Sequence, residues 1–197
     1  MKTYAGIDLH SSNNFIGVIN HKNERLLSRR YDNNLKTVLK ALRKYKPSLQ
    51  GVVVESTYNW YWLVDGLMEN DYKVHLANPA AIQQYKGLKH RDDKKDAFWL
   101  AHLLRLGILA QGYIYPKKLR SIRDMFRRRM MFVKQRTTQT LSLQSMIARN
   151  RGVEQSASAI VRFRDDFIKQ MFDCPHLVST ALHQMETIRF LGKQIEA

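Results

Sequence analysis

The chain is short of cysteine, of acidic residues and of long apolar runs, and each shortage excludes something. A single cysteine, Cys174, leaves no intramolecular disulfide and no cysteine-type zinc site. The longest apolar stretches, such as Gly51 to Val54, fall far below the roughly 20 residues that a membrane-crossing helix needs. Met1-Lys2-Thr3-Tyr4 runs straight into a strand-like segment, with no apolar leader and no small-residue cleavage site. These features point to an intracellular protein. The deficit of acids is the strongest of the compositional signals. Asp and Glu number 17 against 33 Lys and Arg, a formal net charge of +16 with a pI near 10.1. Such a balance attracts polyanions, because each phosphate neutralised releases condensed counterions.

With 197 residues, 44% of them hydrophobic, the chain can build one core-bearing domain and a smaller helical appendage. Thr3 to Leu9, Phe15 to Asn20 and Glu24 to Tyr31 read as three strands joined by polar turns, an antiparallel meander. The period then changes. Asp32-Asn33-Asn34 caps a helix carrying Leu35, Val38, Leu39 and Leu42, stopped by Pro47. Gly51 to Glu55 is a β-branched run of the kind found in buried central strands, and an aromatic-rich helix follows from about Tyr58 to Asn70. Tyr72 to Ala77 reads as a further strand, and Asn78-Pro79 opens another helix. Beyond the mixed-charge stretch 89–96 lies a helix from Ala97 to Leu106. From Pro116 to about Asn150 the pattern is wholly helical, and a break near Gly152 precedes one or two shorter helices.

Three antiparallel strands, a helix, then alternating strand and helix is the element order of the RNase H-like fold. The expected fold class is therefore α/β: an RNase H-like, RuvC-type mixed sheet with flanking helices, followed by a basic all-helical arm. The expected domains are 1–110 for the sheet and 113–197 for the helical region, the latter of coiled-coil type.

Four acids stand where solubility does not require them. Asp8 ends the first strand, with Gly6 and Asp8 on one of its faces, and Glu55 ends the apolar run Val52-Val53-Val54. Asp93 and Asp96 share a face of the helix they begin, with Asp92 as an alternative partner at a spacing of four. For Asp92 or Asp93 alone, helix capping is the simpler account. Taken together, the four suit the carboxylate cluster that holds divalent cations for phosphodiester chemistry.

Gly6-Ile7-Asp8-Leu9-His10, Val53-Val54-Glu55-Ser56-Thr57 and Asp93-Lys94-Lys95-Asp96-Ala97 resemble the motifs of the DEDD transposases of insertion sequences, relatives of the Piv invertase and of bridge-RNA-guided recombinases. Asn78-Pro79 leading through a Lys-rich loop into Asp-Lys-Lys-Asp-Ala is also typical of that family. The resemblance covers residues 3 to 110 and is looser beyond. It implies Asp8, Glu55, Asp93 and Asp96 as catalytic metal ligands for Mg2+ or Mn2+. Asp92 stands where the family usually has a small polar residue, which leaves it open as an alternative ligand. The resemblance further implies DNA cleavage and rejoining, a structured guide RNA, and a homo-oligomer, dimer or tetramer. Its expected setting is the cytoplasm of a bacterium or archaeon, at the nucleoid. Family members continue into a second domain with a Gly-rich motif and a serine proposed to attack DNA. Nothing after Arg151 resembles that domain, and Leu191 to Ala197 reads as a helix cut midway. The expectation is a chain without that domain, and no serine here is assigned as nucleophile.

Between Tyr113 and Arg151 only Asp124 opposes a dense basic series. Lys117, Lys118, Arg120, Arg123, Arg127, Arg128, Arg129, Lys134 and Arg136 are candidate contacts to nucleic-acid phosphates, with Lys89 and Arg91 beside the last acids. The interleaved Met125, Phe126, Met130, Met131, Phe132 and Val133 read as a packing stripe or oligomer seam. Tyr58, Trp60, Tyr61 and Trp62 read mainly as core or interface, and His10 as a turn histidine near the first acid. Two other classes compete: a structure-specific RuvC-like nuclease or resolvase, and a non-catalytic nucleic-acid-binding module. A sugar-kinase or actin-like ATPase shares the Gly-Ile-Asp strand end, but Ser11 to Asn14 offers no Gly-rich phosphate turn.

Overall fold

A computed structural model describes residues 1–82 and 93–197, without the side chains of Ile82, Asp93, Lys94 and Lys95. It divides into two compact units, Met1–Tyr115 and Pro116–Ala197.

The first unit is built on a mixed sheet. β1 (Thr3–Leu9), β2 (Asn13–Asn20) and β3 (Arg25–Asp32) form the antiparallel meander, and β4 (Leu49–Glu55) pairs parallel to β1. β5 (Val74–Ala77) adds parallel to β4, and the two-residue β6 (Gln111–Gly112) closes the edge antiparallel, giving the order β3-β2-β1-β4-β5-β6. This is the RNase H-like arrangement expected from the element order. β6 was not expected, because two residues are too few to show a period.

Strand alternation divides the side chains between two covered faces. Ala5, Ile7 and Leu9 of β1 and Val52 and Val54 of β4 pack with Val38 and Leu42 of α1 (Leu35–Leu42) and with Leu63, Val64 and Leu67 of α2 (Tyr61–Glu69). On the opposite face Phe15 and Ile19 meet Ala97, Phe98 and Ala101 of α4 (Asp93–Leu106), and Val53 and Ala77 meet its Leu100 and Leu103. Coverage on both sides is why β4 reads as an unbroken apolar run.

The helix starts follow local chemistry. Asn34 caps α1, its side chain accepting from the Thr37 backbone N–H. The helix ends at Leu42, and Pro47 sits inside a separate 3-10 turn, Arg43–Ser48. Pro47 is thus not the direct stop, because the tighter turn accommodates it. α2 begins at Tyr61, later than the expected Tyr58, since residues 58–60 form a turn after β4. α3 (Pro79–Ile82) is a single turn with Pro at its first position.

Helix α4 lies directly on β1. A Cβ at Gly6 would collide with the Ala97 carbonyl oxygen and stand 2.9 Å from the Ala101 nitrogen, so the helix backbone occupies the space of a side chain. Gly17 opposite gives similar room to the Phe98 ring, 2.9 Å from a built Cβ.

The second unit is helical: α5 (Lys117–Arg151), α6 (Ala157–Val161), α7 (Asp165–Met171) and α8 (Pro175–Glu196). Gly152, at φ 67°, ends α5 in the left-handed conformation that favours glycine. α8 returns antiparallel along α5, with Gln184 donating to Ser142 at 2.8 Å and Arg129 donating to the Ile195 carbonyl at 3.1 Å. Its 22 residues make it longer than the short helices expected after the break. The apolar cluster of this unit joins Leu143, Met146 and Ile147 to Ile160, Ile168, Met185 and Ile188. Met125, Phe126, Met130 and Met131 are exposed.

Gly6→Ala should lower the unfolding free energy by about 1–3 kcal/mol or more, the usual cost of overpacking, because the obstacle is helix backbone. Gly107→Ala should cost about 1 kcal/mol, since Gly107 has φ 72° and open space around it. Thermal unfolding of the two variants checks the ranking, and equal losses would refute the direct contact of α4 with β1.

Candidate metal centre

Asp8 and Glu55 reach one place because their strands are neighbours in parallel register. Gly6 pairs with Val53 and Ile7 with Val54, which sets Asp8 beside Glu55 at the carboxyl-terminal edge. By alternation both fall on the α4 face, opposite Ile7 and Val54. Asp96 arrives from the first turns of α4, one residue before the Ala97 that rests on Gly6.

Asp8 is buried, with 5% of its side chain exposed. Its pKa is pushed up to about 7: burial is the main cause, and Glu55 and Asp96 add to it by repulsion. A hydrogen bond to Glu55 also favours the protonated form, whereas the neighbouring His10 works in the opposite direction. His10 Nε2 lies 3.2 Å from Asp8 Oδ2. A buried carboxyl crowded by two others gains strongly from a hard cation, and three oxygen donors are the set that magnesium and manganese favour. Among the described residues, no three His, Cys, Asp or Glu side chains form a group that could hold a metal ion. The side chain of Asp93, and Lys89, Arg91 and Asp92 altogether, lie outside the described residues. The backbone of Asp93 opens α4.

The loop that follows Asp8 is pinned from two sides. The His10 carbonyl accepts from Asn33 Nδ2 at 2.9 Å and from Asn59 Nδ2 at 3.0 Å. Asn33 also donates to the Ser11 carbonyl, and its side-chain oxygen accepts from the buried Asn14. Asn59 is held in turn by Thr57 Oγ1 at 2.9 Å. Loops after β1, β3 and β4 are thereby tied together around the acids. The sequence marks Asn33 only as part of a helix cap and Asn14 only as a turn residue, and it gives Asn59 no role. The signal for them was the recurrence of Asn at each turn, which reads equally well as ordinary turn chemistry.

The aromatic segment behaves unevenly. Trp60 is buried, but Tyr58 is 82% exposed, two residues before the Trp60 that enters the core. Of the two readings, core suits Trp60, while Tyr58, at the start of the turn 58–60, lies outside the core and keeps only the interface reading.

On α5 the candidate phosphate contacts also divide. Lys117, Lys118, Arg127, Arg128 and Lys134 are exposed, and Arg123 and Arg136 are half-buried. Arg129 is exposed but spends its Nε–H on the Ile195 carbonyl. Arg120 is buried, 5% exposed, so it does not belong to the solvated basic face.

The model of the IS110-type DEDD family, described as a transposase, matches residues 5–149. No curated protein sequence matches the chain significantly. Among solved structures, the RuvC of T. thermophilus, in complex with a Holliday junction substrate, aligns at 14% identity and a TM-score of 0.43. The alignment covers 57% of this chain and the whole of that one. Among the described residues, no helix is long and apolar enough to cross a membrane.

The raised pKa sets the sign of a pH dependence. Between about pH 4 and pH 7 the folded chain keeps a proton on Asp8 that the unfolded chain has released, so metal-free stability falls as pH rises through that window and levels off above it. Asp8→Asn should therefore stabilise the protein in EDTA at pH 8 by a few kcal/mol, at about 1.4 kcal/mol per pKa unit. The gain should vanish near pH 4. Unfolding curves at the two pH values measure it, and a variant no more stable than wild type at pH 8 would disprove the crowding of Asp8.

Proposed function

The chain belongs to the IS110-type DEDD transposase family, and from that premise we propose that residues 1–115 form its DNA-cleaving, metal-binding module. The carrying observation is the buried Asp8 at the end of β1, with Glu55 and Asp96 close enough to raise its pKa. Asp8, Glu55 and Asp96 would hold Mg2+ or Mn2+, together with Asp93 or, in a shifted register, Asp92. When bound, such a cation supplies an activated oxygen nucleophile and stabilises the leaving oxygen of a phosphodiester. The protein's own part is positional. The Gly6 contact brings Asp96 to the strand ends, and the asparagine clamp on His10 holds the loop beside Asp8.

The exposed cations of α5, Lys117, Lys118, Arg127, Arg128 and Lys134, suit the DNA backbone or a structured guide RNA. Their binding to either is electrostatic and weakens with salt. Met125, Phe126 and Met130, exposed along the same helix, suit a homo-oligomeric seam in a dimer or tetramer. The whole reaction is cleavage and rejoining of DNA strands under RNA guidance. A RuvC-like resolvase would use the same acids and would release nicked products without joining them.

Metal titration tests the centre. With Mg2+ or Mn2+ at about 100 times its dissociation constant, the wild-type chain at pH 8 should gain roughly 2.7 kcal/mol of stability. Asp8→Asn and Glu55→Gln should lose that gain and any cleavage of supercoiled DNA. A metal-induced shift of the same size in wild type and both variants would sink the reading.

A further inference from the structure

A second feature of the first unit lies along α4, away from the acids. A groove of about 250 Å3 runs between α4 and the β2–β3 hairpin, lined by Ile19, Asn23, Arg25, Phe98, Trp99 and His102. That volume is below the size of drug-like ligand sites and suits one small planar group. Its floor is apolar, since Ile19 and Phe98 are buried.

The walls are set in place by contacts of their own. The His102 ring stacks on Trp99 with centroids 5.9 Å apart and planes at 23°. His102 Nδ1 is 3.0 Å from Asn23 Oδ1 and 3.3 Å from Arg105 Nη2. Arg105 also donates to the His21 carbonyl at 3.1 Å, tying the helix to the hairpin. The hairpin turn is prebuilt, with Asn20 Oδ1 accepting from the Lys22 and Glu24 backbone N–H groups and Asn23 in the left-handed region at φ 67°. Burial, followed by Arg105, lowers the His102 pKa, so the ring is a neutral stacking surface near neutral pH.

Also lining the groove, the Arg25 guanidinium lies over the Phe98 ring, 4.3 Å from its centroid. Arg25 itself is exposed, with Lys22 close by in the chain. The groove therefore offers a stacked aromatic pair, an amide and a fixed cation within one small space, in a chain of net charge +16. An aromatic ring that carries an adjacent anion complements all three, and a nucleotide is such a ligand. Bases inside a duplex have both faces covered, so the match is to an unpaired nucleotide.

We propose that this groove is a stacking subsite for one unpaired nucleotide, the base against the Trp99–His102 wall and the phosphate on Arg25. Along α4, His102 is six residues from Asp96, about 9 Å at ~1.5 Å per residue. That is two to three nucleotides of a stacked strand at ~3.4 Å each. The strand held there is the one that reaches the acids, a destination that rests on the reading of the metal centre above.

Fluorescence anisotropy with labelled oligothymidine and with a blunt duplex of equal length, both in EDTA, tests the groove without catalysis. Arg25→Ala and His102→Ala should each weaken single-strand binding about tenfold and leave duplex binding nearly unchanged. Arg25→Ala should also reduce the single-strand salt slope by about 1. Trp99→Phe keeps the stacking wall, and should retain binding while losing part of the tryptophan quenching that oligothymidine causes. Equal losses on both nucleic acids, or no loss on either, would overturn the proposal, the latter leaving the groove to a protein partner. If Arg25→Ala binds normally while Asp8→Asn abolishes the metal-induced shift, the groove fails alone. If the variants lose single strands selectively but Asp8→Asn leaves that shift intact, the metal-centre reading fails and the groove stands.

Discussion

The contact of helix α4 with β1 at Gly6 is the constraint on which the rest of the first unit depends. A strand and a helix ordinarily keep side chains between their backbones. Here the Ala97 carbonyl occupies the place of a missing Cβ, so the helix start is brought down onto the sheet. That approach carries Asp96 to Asp8 and Glu55, and it sets Phe98 against Gly17 on the neighbouring strand. The same seating leaves Trp99 and His102 beside the β2–β3 hairpin, where the groove forms. One glycine thus fixes the position of two candidate features at different distances along one helix.

The crowding of carboxylates opposes stability. Asp8 is buried among like charges, an arrangement that folding alone would not favour. Its persistence is intelligible as preparation for a cation, with the energetic cost borne by the two-sided core around β1 and β4. The loops around the acids are correspondingly well tied. Asparagines from two other loops converge on the His10 carbonyl, and backbone groups that would otherwise lack partners are satisfied. Rigid placement of a loop beside an electrostatically strained side chain is a usual feature of sites that bind charge.

Legibility in the sequence varied with the physics of each element. Three strands, the β-branched central strand and the long basic helix were readable, since period and turn chemistry are local. Pro47 was misread as the stop of α1, because a 3-10 turn tolerates it. The short strand β6 left no trace, as its pairing partner lies far away in sequence. For the candidate site, Asp8, Glu55, Asp93 and Asp96 stand out from strand ends, helix spacing and motif resemblance, and the structure brings Glu55 and Asp96 near Asp8. Tyr58 reads as core or interface from its type alone, and the turn that carries it into solvent leaves only the second. Arg120 belongs to the basic series by composition, but it is buried in the structure.

The sequence by itself determined the order of elements, the strongly basic charge and the spacing of the candidate acids. Each of these is set by residue type and short-range spacing. Only the tertiary structure decided that Asp8 is buried, that Asp96 stands with it, and that His10 is held by Asn33 and Asn59. It also decided that Arg25, Asn23 and His102 line one groove. These facts depend on long-range pairing and on how closely two backbones approach, and neither is encoded in the residues nearby.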